Sequence, residues 1–181
     1  MKSDLWTPSP VERLARRYRT VGLLAAALAL YVLEGLLPRP LPWFRLGLSN
    51  VVILLALIQD GAWLALKLSL ARTLLGSLFL GTLITPLLLL SLGGSLLAWA
   101  GMALLKPLYP RLVGAVGLSL SGAALHAIAQ LAAASLLLIP LSLAWQLLPL
   151  VLLPALVSGI IVGLATATAT QCGNAVRCIT A

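Results

Sequence analysis

The stretch Pro38-Arg-Pro-Leu-Pro-Trp-Phe-Arg-Leu-Gly-Leu-Ser-Asn50 decides how the rest of the chain is read. Pro38, Pro40 and Pro42 each fix φ and lack an N–H, so the segment cannot be helical and should run extended. Arg39 and Arg45 bring charge, Trp43 and Phe44 aromatic bulk. Trp favours a membrane–water boundary, because one end of its ring is apolar and the other can hydrogen-bond. Gly47, Ser49 and Asn50 then open the next apolar run with small and polar groups. The stretch reads as a structured loop at one membrane face, closing over a site lined by the helices on either side. The plainer alternative is an interfacial linker.

Working outward, the composition supports a bilayer. Of the 181 residues 61% are hydrophobic and only 9% charged, with a mean hydropathy of +1.11. Soluble domains carry roughly 25% charged residues. There is too little polar surface to cover a globule, so one integral membrane domain is expected. The net charge of +8 is clustered: Arg13, Arg16, Arg17 and Arg19 precede the first apolar run. Such clusters stay in the cytoplasm and contact anionic lipid head groups. The charge flanks apolar segments and forms no stripe on a folded surface, which argues against nucleic acid as a partner. No secretory signal is recognisable, because the first apolar run is long for one and no small-residue cleavage site follows it.

Six apolar segments follow. Residues 1–19 form a basic N-terminal segment, in which Val11 to Arg19 suits a short amphipathic helix on the inner surface. The segments are 20–37, Leu46 to about Gln59, 62–81, 87–105, 112–139 and 145–169. The second is short of the roughly 20 residues a span needs. Pro149 and Pro154 should kink the last. Residues 20–170 are thus one membrane domain of six transmembrane helices, and 171–181 a cytoplasmic tail. With six crossings the inner face carries Lys2, the four N-terminal arginines, Lys106, Arg111 and Arg177, and the outer face only Arg39 and Arg45. That asymmetry predicts both termini inside the cytoplasmic membrane. Small residues recur as Ala25/Ala29, Gly93/Gly94, Gly114/Gly117/Gly122 and Gly159/Gly163, most of them for internal helix packing.

Polar residues at membrane depth need a reason, since an Arg, Lys or Asp near mid-span costs roughly 2.5–3.5 kcal/mol on insertion scales. Lys67 lies near the inner end of its segment and can snorkel. Arg72 sits near mid-segment. Glu34 is about one turn below the outer end of the first span, and Asn50 opens the second. His126 and Gln130 are i, i+4 and share a face. Glu34, Asn50, Arg72 and Gln130 therefore fall in the outer half or near mid-membrane, under the Pro/Arg/Trp loop. A pocket open to the outside follows, in which an excess of donors suits an anionic or carbonyl-rich ligand. Trp43 and Arg45 would close it from above. The structural alternative pairs Glu34 with Arg72 and ties His126 to a backbone carbonyl.

Several chemistries find no residues to carry them. The acidic residues are four, Asp4, Glu12, Glu34 and Asp60, and no two form the clustered site that Mg²⁺-dependent diphosphate chemistry needs. There is no P-loop, and no Ser–His–Asp set at membrane depth. A lone His is poor evidence for metal. Cys172 and Cys178 have five residues between them, which fits no common zinc or redox spacing. The expected protein is not an enzyme and carries no cofactor or metal.

The combination of Glu34 before the Pro-rich loop, R-L-G-L-S-N (Arg45–Asn50), Arg72 with L-L-G (Leu74–Gly76), S-L-G-G (Ser91–Gly94) and S-G-A-A-L-H-A-I-A-Q-L (Ser121–Leu131) resembles one small membrane family. It is known as heptaprenyl diphosphate synthase component I, or the Gx transporter family. The resemblance covers about residues 20–165. Where the family has Asn after the histidine, this chain has Ala127. Members look like substrate-binding S components of energy-coupling-factor (ECF) vitamin transporters, with six helices and the ligand held near the outer face. The residues at membrane depth and in the loop, Glu34, Trp43, Arg45, Asn50, Arg72, His126 and Gln130, are the expected ligand-binding set. The resemblance implies a transmembrane coupling subunit docked on the Ala25-x-x-x-Ala29 face, with ATPases as further partners. A flavin, a thiamin-like compound or an isoprenoid-related compound all remain open as the ligand. The family name also allows a non-catalytic membrane subunit of a polyprenyl diphosphate, quinone or membrane redox-flavin system.

Overall fold

The computed structural model describes residues 9–36 and 47–180, with side chains described as far as residue 172. The described residues form α1 (Pro10–Leu36), α2 (Leu48–Gln59), α3 (Ala62–Phe79), α4 (Pro86–Leu105), α5 (Ala115–Leu137) and α6 (Leu141–Thr180), with one 3-10 turn at Lys106–Leu108. Five are long and apolar enough to cross a membrane; α2 is apolar but shorter. Their outward surfaces carry Leu104 at 79% exposure, Leu136 at 84% and Leu153 at 65%. Surface of that kind faces lipid, not water. The protein is an all-helical, multi-pass membrane protein.

α1 corrects the expected separation of a surface helix from the first span. A capping box starts it: Ser9 Oγ accepts from Glu12 N at 3.2 Å, and Glu12 Oε2 accepts from Ser9 N at 2.9 Å. This satisfies two of the donors a helix start leaves over. No Gly or Pro then interrupts the chain until Gly22, and the Thr20 hydroxyl folds back onto the Arg16 carbonyl at 2.9 Å. The change from basic to apolar at residue 19 changes the environment, not the backbone. At the other end α6 runs to Thr180, where a trailing tail was expected after residue 170. It also continues through Pro149 and Pro154, although neither ring nitrogen has a hydrogen to donate.

The short helix is the central one. α2 places Ile53, Leu54 and Leu57 at 2%, 1% and 0% exposure, packed with Ala27 of α1, Leu68 of α3, Met102 of α4, Leu118 of α5 and Val162 of α6. Within a bilayer such burial contributes close packing rather than transfer from water. Both ends of α2 are tied to α1. The Leu48 N–H donates to Glu34 Oε1 at one end. At the other, Arg19 Nη2 donates to Gln59 Oε1 at 2.5 Å and lies 3.1 Å from Asp60 Oδ2. At that second end Trp99 Nε1 donates to the Ala62 carbonyl at 2.7 Å, joining α4 to the start of α3. The helices alternate in direction, and Arg19, Asp60 and Lys106 gather at one end while Glu34 and Leu48 meet at the other.

α5 and α6 make the closest pair. A Cβ on Gly163 would lie 2.5 Å from Val116 Cα, and one on Gly159 would lie 3.1 Å from Ala123 Cβ. Small residues four apart allow this approach, so Gly159 and Gly163 serve internal packing as read from their spacing. Lys67 is exposed, with its ammonium 5.4 Å from the Trp63 ring centroid, near the basic end.

Candidate functional site

Arg72 is the polar centre of the bundle. It is 5% exposed, and its Nη1 donates to Ser49 Oγ at 2.6 Å and Asn50 Oδ1 at 2.8 Å. Its guanidinium carbon lies 5.5 Å from the Tyr31 ring centroid, a distance at which ring and cation attract. Tyr31, itself 8% exposed, fits only because residue 76 of α3 is glycine: a Cβ there would lie 2.2 Å from Tyr31 Cδ1 and 2.4 Å from its Cε1. Gly76, the glycine of the L-L-G on α3, thus leaves the space in which Tyr31 lies beside Arg72.

The R-L-G-L-S-N segment has an equally local explanation from Gly47 onward. Gly47 adopts φ 70, which an L side chain rarely takes. Its carbonyl accepts from Asn50 N at 2.8 Å. A Cβ there would also lie 2.9 Å from Ser158 Oγ and 3.2 Å from Asn50 Nδ2. Glycine turns the chain against α6, and the first turn of α2 then delivers Ser49 and Asn50 to Arg72. Glu34 accepts from Leu48, one of the N–H groups a helix start leaves without a helical partner. A carboxylate there is also favoured by the helix dipole. Glu34 therefore anchors α2 as well as lining the site.

Gly94 of α4 does for α5 what Gly76 does for α1. A Cβ on Gly94 would lie 2.9 Å from His126 Nδ1 and 3.0 Å from Gln130 Cγ. The glycine lets both side chains of the i, i+4 pair lie against α4. Gly93 has open space around it.

These parts enclose a cavity of about 100 Å³ to which every helix gives a polar side chain: Glu34, Asn50, Arg72, Ser91, His126 and Ser158. Gln130 lines it too. A narrower chamber of about 30 Å³ continues past Arg72, His126 and Ser158, adding the buried hydroxyls of Ser69, Ser95 and Ser119 and ending on Leu54, Met102 and Val162. A space of that size with several polar partners suits one or two waters. Thr73 holds the hydroxyl stripe of α3 in place, donating to the Ser69 carbonyl at 2.9 Å and lying 3.3 Å from Ser95 Oγ.

Of the residues singled out from sequence, Glu34, Asn50, Arg72, His126 and Gln130 share this cavity. Trp43 and Arg45, with the rest of the Pro-rich loop to residue 46, lie outside the described residues. Ala25 and Ala29 are exposed on the outer face of α1, away from the site. Tyr31 and Ser158 were not singled out, and Ser49 was read only as a small polar residue opening the second segment. Their types are ordinary on apolar helices, and only the cross-helix contacts give them a place. Among the described residues no three His, Cys, Asp or Glu side chains come together as metal ligands. The site offers guanidinium, amide, imidazole and hydroxyl groups beside one carboxylate. Such a set orients a ligand rich in acceptors.

No curated protein and no solved structure matches the chain. A family model does, over residues 23–169, a range that starts within α1, ends within α6 and includes every polar residue of the cavity. On that match, the chain belongs to the family described as heptaprenyl diphosphate synthase component I.

Proposed function

We propose that this chain is a non-catalytic ligand-binding membrane subunit that takes an anionic or carbonyl-rich small molecule into the Arg72 cavity from the outer side. The observation that carries the reading is the convergence of polar side chains from all six helices on one cavity. Buried polar groups inside a membrane bundle are expensive, and they mark ligand or ion sites more often than they hold a fold. Six crossings with both termini in the cytoplasm give the basic end to the inside. In that orientation the cavity lies in the outer half, and Trp43 and Arg45 of the Pro-rich segment complete the ligand set. Transport as an S component, with a coupling subunit on the Ala25/Ala29 face and ATPases beyond it, is the form this reading takes. The second form is a membrane partner of a polyprenyl diphosphate enzyme, favoured by the family description.

Binding tests the central claim. The protein is purified and its melting temperature followed against flavins, thiamin-like compounds and prenyl diphosphates. At least one class should stabilise it. Gln130→Ala should weaken that binding with little change in the unliganded melting temperature. Asn50→Ala should lower both, because it also removes an acceptor from Arg72, worth about 1–3 kcal/mol when buried. No stabilisation by any class, with Gln130→Ala melting well below the wild type, would return the cavity to a purely structural role.

Orientation and coupling have their own measurements. Cysteine introduced at Leu41 should react with an impermeant thiol reagent in intact cells; reaction only after lysis would reverse the topology. Ala25→Trp and Ala29→Trp should block co-purification with a coupling subunit while ligand binding persists, since close helix approach needs small side chains. Unimpaired uptake by both variants would favour the enzyme-partner form.

A further inference from the structure

A second opening lies beside the polar cavity, on the lipid-facing side of the α5–α6 pair. It is a groove of about 320 Å³ between the end of α5 and the start of α6. Its two facing small residues are Ala132 and Ala144, and Ala144 is 5% exposed although its neighbours Leu141 and Trp145 are 63% and 66% exposed. The one hydroxyl in it, that of Ser135, turns back onto the Ala132 carbonyl at 2.7 Å. Nothing there holds water, so the groove takes hydrocarbon.

The groove continues the walls of the polar cavity. On α6, Leu148 lines the groove and Val151 the cavity; on α5, Leu131 and Ala127 stand in the same relation. Those steps of three and four residues amount to roughly 5–6 Å along each helix. From Leu141 to Leu148 the groove runs roughly another 10 Å. On both helices the lining of the dry groove thus begins within one helical turn of the lining of the Arg72 cavity. We infer that the ligand is an amphiphile: its anionic head enters the Arg72 cavity, and its single hydrocarbon chain leaves sideways through the α5–α6 groove into the outer half of the bilayer. This rests on the reading of the cavity as a ligand site and adds the ligand's class and its route of entry.

The test uses the protein in lipid nanodiscs with two radiolabelled probes, inorganic phosphate and geranyl phosphate, against empty nanodiscs. Geranyl phosphate should be retained at least tenfold more tightly than inorganic phosphate. Ala132→Trp, which fills the groove from an exposed position, should remove that preference and leave inorganic phosphate unchanged. Ile128→Trp, one turn away on the same face of α5, serves the same purpose if the first variant melts early. Arg72→Gln should weaken both probes. If the wild type shows no preference, or both tryptophan variants keep it, the chain does not use the groove, and the inference is overturned while the cavity reading stands on its Arg72 dependence. If the wild type retains neither probe, the anion-binding cavity fails and the inference fails with it.

Discussion

Replacing Arg72 by alanine should destabilise the protein by about 3–5 kcal/mol and abolish ligand binding. The magnitude is that of removing one member of a buried charged network. Three groups lose their contact with Arg72 together: Ser49 Oγ, Asn50 Oδ1 and the Tyr31 ring face. With Arg72 gone, Glu34 is the formally charged group left among the described residues of that cavity. Arg72→Lys should recover part of the stability and little of the binding, because an ammonium supplies charge without a planar fork. The double variant with Glu34→Ala measures how far the two depend on each other. If they are coupled across the cavity, the double loss is smaller than the sum of the single losses; strictly additive losses would separate them. Melting temperature and ligand retention, read on the same preparations, give both halves of the result.

How far this arrangement was legible follows from what a membrane makes expensive. A charge or amide at depth is conspicuous in an apolar run. Glu34, Asn50, Arg72, His126 and Gln130 therefore stood out before any fold was known, and one cavity holds them all. Serine and tyrosine are cheap on such helices, and nothing in their spacing marked Ser49, Ser158 or Tyr31. The place of Tyr31 depends on Gly76, a residue of another helix. Hydropathy located the helices well where Pro or Gly bounds them: α4 begins at Pro86, and Gly61 precedes α3. It failed where only composition changes. Residue 19 ends a basic run but not a helix, and residue 170 ends an apolar run but not α6. The docking role read for Ala25 and Ala29 depends on a partner, so the chain alone gives those residues only an exposed face.

The glycines give the sharpest structural test, because chemically identical substitutions meet different surroundings. Gly163→Ala puts a methyl group 2.5 Å from Val116 Cα, 3.1 Å from Val116 N and 3.2 Å from Ser119 Cβ. Two of those atoms are backbone, so no rotamer change relieves the clash and α5 must move away from α6. Overpacking of this kind typically costs about 1–3 kcal/mol. Because α5 carries His126 and Gln130 while α6 carries Ser158, the same displacement widens the cavity, and ligand retention should fall with stability. Gly93→Ala meets nothing within 4 Å and sits inside α4, where alanine is favoured over glycine by about 1 kcal/mol. It should leave the melting temperature unchanged or raise it. Gly94→Ala, one residue along, should displace His126 and Gln130, which are flexible side chains and can yield. Its stability loss should therefore be smaller than that of Gly163→Ala, with a comparable loss of binding. Equal behaviour of all three variants would mean that the α5–α6 contact is not the tight seam of the bundle.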